Sequence, residues 1–205
     1  NGKDIGVMIN GTPRVGFPTP SRKNEFYSQT MIDWGWGEYA IPTYIKSHIH
    51  EEKLDREKGE YVLLPTFRLP TLIHSRSGNA KWLVEIANRN PIWMHPDDAQ
   101  TRNLKADDVV RVYNDRGATL AGLIISATVQ PGVVQLPTGA WYDPLEPGVI
   151  GSLDKAGNPN VLTRDEGTSE LGQGPTAHST LVEVEKFVGP VPEVTVYSPP
   201  EIQSL

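Results

Sequence analysis

The 205-residue sequence contains no cysteine. This absence excludes a disulfide scaffold, a thiolate nucleophile, a cysteine-ligated zinc site and an iron–sulfur cluster held by this chain. It leaves the compartment open between periplasm and cytoplasm, because a cysteine-free chain is viable in either redox environment.

The sequence also lacks an excess of positive charge and a long apolar run. Its 19 Lys and Arg residues are scattered along the chain and are outnumbered by 25 Asp and Glu residues. Proteins that bind nucleic acid usually carry a basic patch or stripe, so we expect no nucleic-acid partner. The longest mostly apolar run, residues 118–129, is broken by Thr, Ser and Gly. It is shorter than the ~20 residues that cross a bilayer, so we expect no membrane insertion by this chain.

Recognisable catalytic motifs are missing as well. The sequence has no G-x-S-x-G nucleophile elbow, no G-x-G-x-x-G and no P-loop lysine. His48 and His50 lie two residues apart and could share a strand face as metal ligands, but no third ligand follows at a convincing spacing. We therefore predict neither a catalytic residue nor a metal ligand in this chain.

Glycine and proline are abundant, with 19 and 18 residues, which is above their average usage. This excess argues against a helical bundle and favours many turns between short strands. We therefore predict a mainly β fold, a compact barrel with two or more short helices and long loops. Helical patterns begin at Asn79 and Pro96, and β-prone or alternating runs predict strands near residues 61–66, 71–74, 92–94, 108–113, 118–127, 133–136 and 179–187.

These patterns divide the chain into three parts. Residues 1–60 have little core-building pattern and are interpreted as an extended arm that leads from upstream domains. Residues 61–188 form the predicted barrel, and the prolines of residues 189–205 predict an extended tail. The first residue is not methionine, and we expect the chain to be a fragment of a longer protein.

Three polar loops at strand ends are candidate binding sites. Residues 74–79 precede a predicted helix, so backbone amides, a hydroxyl and a guanidinium could hold a phosphate there; the alternative is a helix cap beside a surface arginine. In residues 157–163, Asn158 or Asn160 could instead bond to nearby backbone. Residues 173–178 join a glycine-rich loop to the last strand. Amide, hydroxyl and imidazole side chains donate and accept hydrogen bonds at once, which suits a purine edge or a pterin ring.

The order of several segments resembles the carboxy-terminal domain of the dimethyl-sulfoxide-reductase family of molybdenum and tungsten enzymes. The resemblance begins with the segment at residues 17–28, covers about residues 16–188 and is closest to the sulfoxide and amine-oxide reductase branch. Its clearest segments are residues 106–117, 129–134 and 139–144, followed by GNPNVLT, DEGTSELGQG and AHSTLVEVEKF. Ala106-Asp107 stands where the family usually has Gly-Asp.

The resemblance implies a double-psi β-barrel that binds a bis(molybdopterin guanine dinucleotide) cofactor carrying molybdenum or tungsten. The first polar loop matches the one that reaches the pterin and diphosphate, with an arginine where the branch often has glutamine. The second loop matches a nucleotide contact, and the third matches residues against the pterin. The implied cofactor-binding residues are His74, Ser75, Arg76, Asn160, Gln173 and His178.

In that family the metal's protein ligand and the iron–sulfur cysteines lie in earlier domains. The resemblance therefore implies the cofactor-binding domain of a larger oxidoreductase, of oxygen-atom-transfer or related type, that is not catalytically competent alone. Its partners would be upstream domains and an electron-transfer subunit. Two alternatives stay open: a non-enzymatic double-psi barrel that recognises a substrate or partner, and a small self-contained enzyme using the Gly151-Ser152 dipeptide.

Overall fold

In the computed structural model, residues 6–17, 19–65, 89–176 and 179–199 are described. The strand predicted at residues 71–74 and the helix predicted from Asn79 lie outside these ranges. The chain divides into two compact units, Asn1–Lys46 and Ser47–Leu205.

The described part of the first unit contains a hairpin, a short α-helix and a 3₁₀ turn, Gly37–Tyr39. Strands β1 (Gly6–Ile9) and β2 (Thr12–Val15) pair antiparallel. Asn10 and Gly11 connect them with φ angles of 51° and 75°, which is the conformation that Asn-Gly favours in a two-residue hairpin turn. Helix α1 (Gln29–Asp33) begins at Ser28, whose hydroxyl accepts a hydrogen bond from the Met31 N–H.

Large apolar side chains of the first unit are exposed. Among its residues whose side-chain exposure is described, only Ala40 is buried. The most exposed large apolar side chains given for it are Met8, Val15, Phe26, Trp34, Tyr44 and Ile45. The described residues of this unit therefore bury little apolar surface.

Six strands of the second unit close into a barrel. Around the barrel the order is β3-β7-β4-β6-β5-β8, with β3–β7 and β4–β6 parallel and the other neighbours antiparallel. This closed barrel with two parallel pairs confirms the predicted mainly β, double-psi fold. The strands are β3 (Glu60–Leu64), β4 (Pro91–Met94), β5 (Val109–Tyr113), β6 (Ala118–Ile125), β7 (Val133–Gln135) and β8 (Thr180–Lys186).

Strand alternation places the core inside the barrel. In β3, β5 and the first part of β8, every second residue is buried, as the two-residue period of a strand requires. The largest fully buried side chains are Leu63, Ile92, Met94, Leu120, Leu123, Leu136, Leu162, Val110, Val112, Val134, Val182 and Val184.

One short α-helix interrupts the described barrel strands. Helix α2 (Pro96–Thr101) begins with proline at its first position, and the His95 Nδ1 accepts a hydrogen bond from the Asp97 N–H, so the predicted helix start is confirmed. Asp98 accepts a hydrogen bond from the Gly132 N–H at 2.8 Å, which ties the helix to the turn before β7. Within the described ranges, no helix has the length and hydropathy needed to cross a membrane.

A buried ion pair holds the carboxy-terminal segment against the second unit. The Asp143 carboxylate lies 3.2 Å from the Lys155 ammonium, and both side chains are less than 10% exposed. The same carboxylate accepts hydrogen bonds from the Thr195 N–H (2.6 Å), the Thr195 hydroxyl (3.0 Å) and the Val196 N–H (3.1 Å). Arg89 also donates to the Pro192 carbonyl at 2.8 Å. Residues 192–196 are therefore fastened by charge-assisted hydrogen bonds.

This arrangement predicts a pH-dependent contribution to stability. Burial raises the pKa of the Asp143 carboxyl, but hydrogen bonds from Thr195, Val196 and Lys155 outweigh burial, so the pKa lies below its usual value. The group therefore stabilises the folded state above the unfolded pKa of about 3.9, and the contribution is lost as the pH falls through the lower folded-state pKa.

We expect Asp143→Asn to flatten the loss of stability in acid. Its free energy of unfolding, from urea titrations between about pH 5 and pH 2, should fall less than that of the wild type. Asp165→Asn, which removes one exposed carboxylate, controls for the change in net charge. Parallel pH curves for wild type and Asp143→Asn would contradict the prediction.

Candidate functional site

A cleft of about 510 Å³ lies between the turn at residues 158–163 and the loop at residues 164–175. It brings together Asn160 and Gln173, two of the residues singled out in the sequence. The other four, His74, Ser75, Arg76 and His178, lie outside the described residues, and their assignment stays a prediction. The cleft is lined by Asn160, Thr163, Arg164, Asp165, Glu166, Gly167, Gln173 and Pro175.

Local hydrogen bonds fix the backbone of Asn160. It lies in a 3₁₀ turn, Pro159–Leu162, whose last residue is buried in the barrel core. The Asn158 side-chain oxygen accepts a hydrogen bond from the Asn160 N–H at 2.9 Å. Of the two asparagines considered for this role, Asn158 is thus the one that bonds to nearby backbone. Among the described residues, none forms a hydrogen bond with the Asn160 side chain, which is exposed at the cleft.

Gln173 lies in a tight loop, and part of its side chain hydrogen-bonds to the backbone of that loop. Its φ is 46°, and its Nε2 donates to the Ser169 and Glu170 carbonyls, both at 3.0 Å. Its Oε1 lies about 3.0 Å from where a Cβ on Gly167 would stand, so glycine suits the facing position. Gln173 therefore offers a ligand its carbonyl oxygen, while its amide nitrogen stabilises the loop.

The described wall of the cleft carries more negative than positive charge. Asp165 and Glu166 contribute two carboxylates against the single guanidinium of Arg164, whose Nη1 lies 3.2 Å from the Glu166 carboxylate. Carboxylate oxygens only accept hydrogen bonds, so this wall suits the N–H and O–H groups of a base or sugar and disfavours a diphosphate. Sequence reasoning did not assign a role to these three residues; the acidic pair before a glycine was the available signal.

A second cavity of about 370 Å³ shares Arg164 with the cleft. Two residues that line it, Asn114 and Arg116, lie in the turn between β5 and β6, and their side chains hydrogen-bond to other residues of this chain. Arg116 Nε donates to the Leu162 carbonyl at 2.9 Å, and Arg116 Nη2 donates to the Thr180 hydroxyl at 2.8 Å. Asn114 Nδ2 donates to the same Leu162 carbonyl at 2.9 Å. These bonds fasten the end of the Asn160 turn.

The two histidines considered as metal ligands bond to backbone. His48 Nε2 donates to the Ser179 carbonyl at 3.1 Å, and His50 Nδ1 accepts from the Glu52 N–H at 3.3 Å. In the part of the chain that the structure describes, no group of three or more His, Cys, Asp or Glu could hold a metal ion.

Residues 62–181 match the family model of the molydopterin dinucleotide binding domain, which covers more than half of the chain. The chain belongs to this family. The match runs from within β3 to the start of β8 and includes both Asn160 and Gln173, so the cleft lies in the part of the chain that matches the family. The resemblance found in the sequence is thereby confirmed.

The chain is similar to several reductases. It is 40% identical over 188 residues to trimethylamine-N-oxide reductase 1 of Escherichia coli K12, covering 86% of this chain and 21% of that protein. It is 37% identical over 187 residues to a dimethyl sulfoxide/trimethylamine N-oxide reductase of Cereibacter sphaeroides, covering 89% and 22%. The chain thus spans about a fifth of the length of these relatives.

A solved structure shares the fold. Acetylene hydratase from Pelobacter acetylenicus aligns with 85% of this chain and 25% of its own, with a TM-score of 0.67 and 22% sequence identity. At this level of identity the likeness supports the architecture of the barrel.

Backbone geometry at Gly157, next to the Asn160 turn, gives a second prediction. Gly157 has a φ of +90°, and a Cβ there would lie 2.5 Å from the Asn90 Cβ. Gly157→Ala should therefore lower the free energy of unfolding, through an unfavourable φ of about 1–3 kcal/mol and through the steric clash in addition. Denaturant titration measures the loss.

Gly148→Ala is a matched control. Gly148 has a similar φ of +83°, but a Cβ there would meet nothing within 4 Å. Gly157→Ala should cost clearly more than Gly148→Ala, and equal losses would show that the contact with Asn90 is unimportant.

Proposed function

We propose that this chain anchors a molybdopterin guanine dinucleotide in a larger oxidoreductase that reduces N-oxides or S-oxides by oxygen-atom transfer. The observation that carries the proposal is the cleft in which Asn160 and Gln173 meet, within the residues that match the dinucleotide-binding family. The named activities of the similar reductases support the reaction class.

The donor set of the cleft fits a guanine nucleoside. An asparagine amide both donates and accepts, and the Gln173 oxygen and the two carboxylates accept, which together match the mixed donors and acceptors of a purine edge and the hydroxyls of a ribose. When bound, the cofactor supplies the metal centre at which oxygen transfer takes place. The described residues of this chain bind and orient the nucleotide end.

The diphosphate requires positive charge that the described wall of the cleft does not supply in excess. We assign this part to His74, Ser75 and Arg76, because a guanidinium pairs with phosphate oxygens in two parallel hydrogen bonds. We assign His178 to the pterin contact that the family resemblance implies for the last loop.

The remainder of the enzyme is the proposed partner of this chain. Large exposed apolar patches mark interaction sites in soluble proteins, and the described part of residues 1–46 exposes several large apolar side chains, among them Phe26, Trp34 and Tyr44. We infer that residues 1–46 pack against other domains of the same protein, and that an electron-transfer subunit delivers the reducing equivalents.

The proposal predicts loss of cofactor in the complete protein carrying Asn160→Ala. Leaving a buried ligand group unsatisfied costs about 1–3 kcal/mol, which corresponds to roughly a tenfold to hundredfold loss of affinity. The melting temperature of the cofactor-free protein should not change, since the Asn160 side chain is exposed. Gln173→Ala should lower both occupancy and melting temperature, since its Nε2 also stabilises the loop.

Occupancy is measured as guanine nucleotide released per protein, together with metal content. Gln130→Ala, which truncates an exposed amide in the turn before β7, is the control and should retain wild-type occupancy. Wild-type occupancy in both Asn160→Ala and Gln173→Ala would favour a non-enzymatic recognition module.

A further inference from the structure

A fully buried carboxylate lies beneath the turn that carries Asn160. Asp154 has no exposed surface, and its two oxygens accept four hydrogen bonds. One donor is a side chain and three are backbone N–H groups. The donors are Thr119 Oγ1 at 2.5 Å, Asp143 N at 2.8 Å, Gly157 N at 2.9 Å and Asn158 N at 2.7 Å.

This carboxylate is costly to bury, and its partners explain why an ionised group fits there. A carboxylate is acceptor-only and offers about four lone-pair sites, so it can satisfy four converging donors. An amide of the same size would bring two N–H donors against groups that also donate. Asp154 therefore fixes, from one point, strand β6 through Thr119, the Asp143 segment, and the backbone at Gly157 and Asn158.

A continuous series of hydrogen bonds runs from Asp154 to the cleft. Asp154 holds the Asn158 N–H, and the Asn158 side chain in turn holds the Asn160 N–H. The preceding Gly157 carbonyl accepts from Asn90 Nδ2 at 2.6 Å. The turn is thus fixed on its entry side before any ligand arrives.

We propose that Asp154 and Asn158 are positioning residues of the cofactor site: by holding the backbone of the turn and the Asn160 N–H, they fix the point from which the Asn160 side chain reaches into the cleft, without touching the cofactor themselves. The proposal rests on the function proposed above for Asn160. Its physical basis is preorganisation: a binding group that is already ordered loses less conformational freedom when the ligand binds. Loosening the turn should therefore weaken cofactor binding through Asn160.

The test uses the complete protein loaded with its dinucleotide. The rate of cofactor loss is followed as guanine nucleotide released into solution, and the melting temperature of the cofactor-free protein is recorded in parallel. Asn158→Ala removes the cap of the Asn160 turn and should increase the rate of loss about fivefold, the value that corresponds to a typical cap. Asn158→Ser retains a capping oxygen and should restore a rate within about twofold of wild type.

A double-mutant cycle separates positioning from a general structural role. In the Asn160→Ala background, Asn158→Ala should change the rate of loss by less than about twofold, because the group that it positions is gone. If the fivefold effect persists in that background, Asn158 acts independently of Asn160 and the inference is overturned while the proposed function stands. If Asn160→Ala itself leaves the rate unchanged, the role of Asn160 and the inference fail together.

Asp154→Asn extends the test to the buried carboxylate. It should increase the rate of cofactor loss about tenfold or more, since one oxygen that accepts becomes a group that donates. Asp108→Asn is the matched control: Asp108 pairs with Lys186 at 2.6 Å and accepts from the Lys105 N–H at 2.9 Å, and it is not among the residues of the cleft. Equal rates of loss in the two variants would exclude Asp154 from positioning. Should Asp154→Asn not fold, the Asn158 cycle decides the proposal.

Discussion

The geometry of the second unit depends on carboxylates that are buried with their donors. Asp154 and Asp143 are both nearly inaccessible to solvent. The Asp143 N–H donates to the Asp154 carboxylate, and the Asp143 carboxylate accepts hydrogen bonds from the Thr195 and Val196 N–H groups. The two groups join strand β6, the turn before the cleft and the carboxy-terminal segment. A buried charge without partners would cost several kcal/mol, so each donor that converges on these oxygens constrains where its segment can lie. The barrel provides the frame, and the carboxylates determine how the loops attach to it.

Local patterns in the sequence were sufficient for many elements. The alternation in β5 and β8 and the proline and acids at the start of α2 each reflect a rule that acts over a few residues, and the structure has these elements. Strand order is different, because β3 pairs with β7 and β4 with β6 across long stretches of chain. The two-residue alternation of a strand does not indicate which other strand it pairs with. Closure of the double-psi barrel was therefore predictable from family resemblance and not from periodicity. The β1–β2 hairpin was missed although its Asn10-Gly11 turn carries a local signal.

The candidate site likewise combines features that the sequence indicates with features that only the folded chain reveals. Asn160 and Gln173 were recognised through resemblance, and the structure places both at one cleft. Their different chemical roles became visible only with hydrogen bonds, since Gln173 also stabilises its own loop while the Asn160 side chain is exposed at the cleft. Asp154 gave no sequence signal at all. An aspartate followed by lysine in a loop usually indicates a solvated surface, and its burial depends on donors from residues 119, 143, 157 and 158, which meet only in the folded chain.

In the proposed function, these features together explain how a chain without a catalytic motif would serve a larger enzyme. A dinucleotide is held by many modest contacts, and each contact is effective only if its side chain is ordered before the ligand binds. In the function proposed above, the backbone of Asn160 gains that order because its N–H donates to the Asn158 side chain and the Asn158 N–H donates to the buried Asp154 carboxylate. The same constraint accounts for Gly157, where a side chain would displace the backbone against Asn90. A rigid barrel that presents mobile loops would bind the same groups more weakly. If the proposed function holds, the buried polar network links stability to binding, and a substitution there should affect cofactor retention even where it leaves the barrel folded.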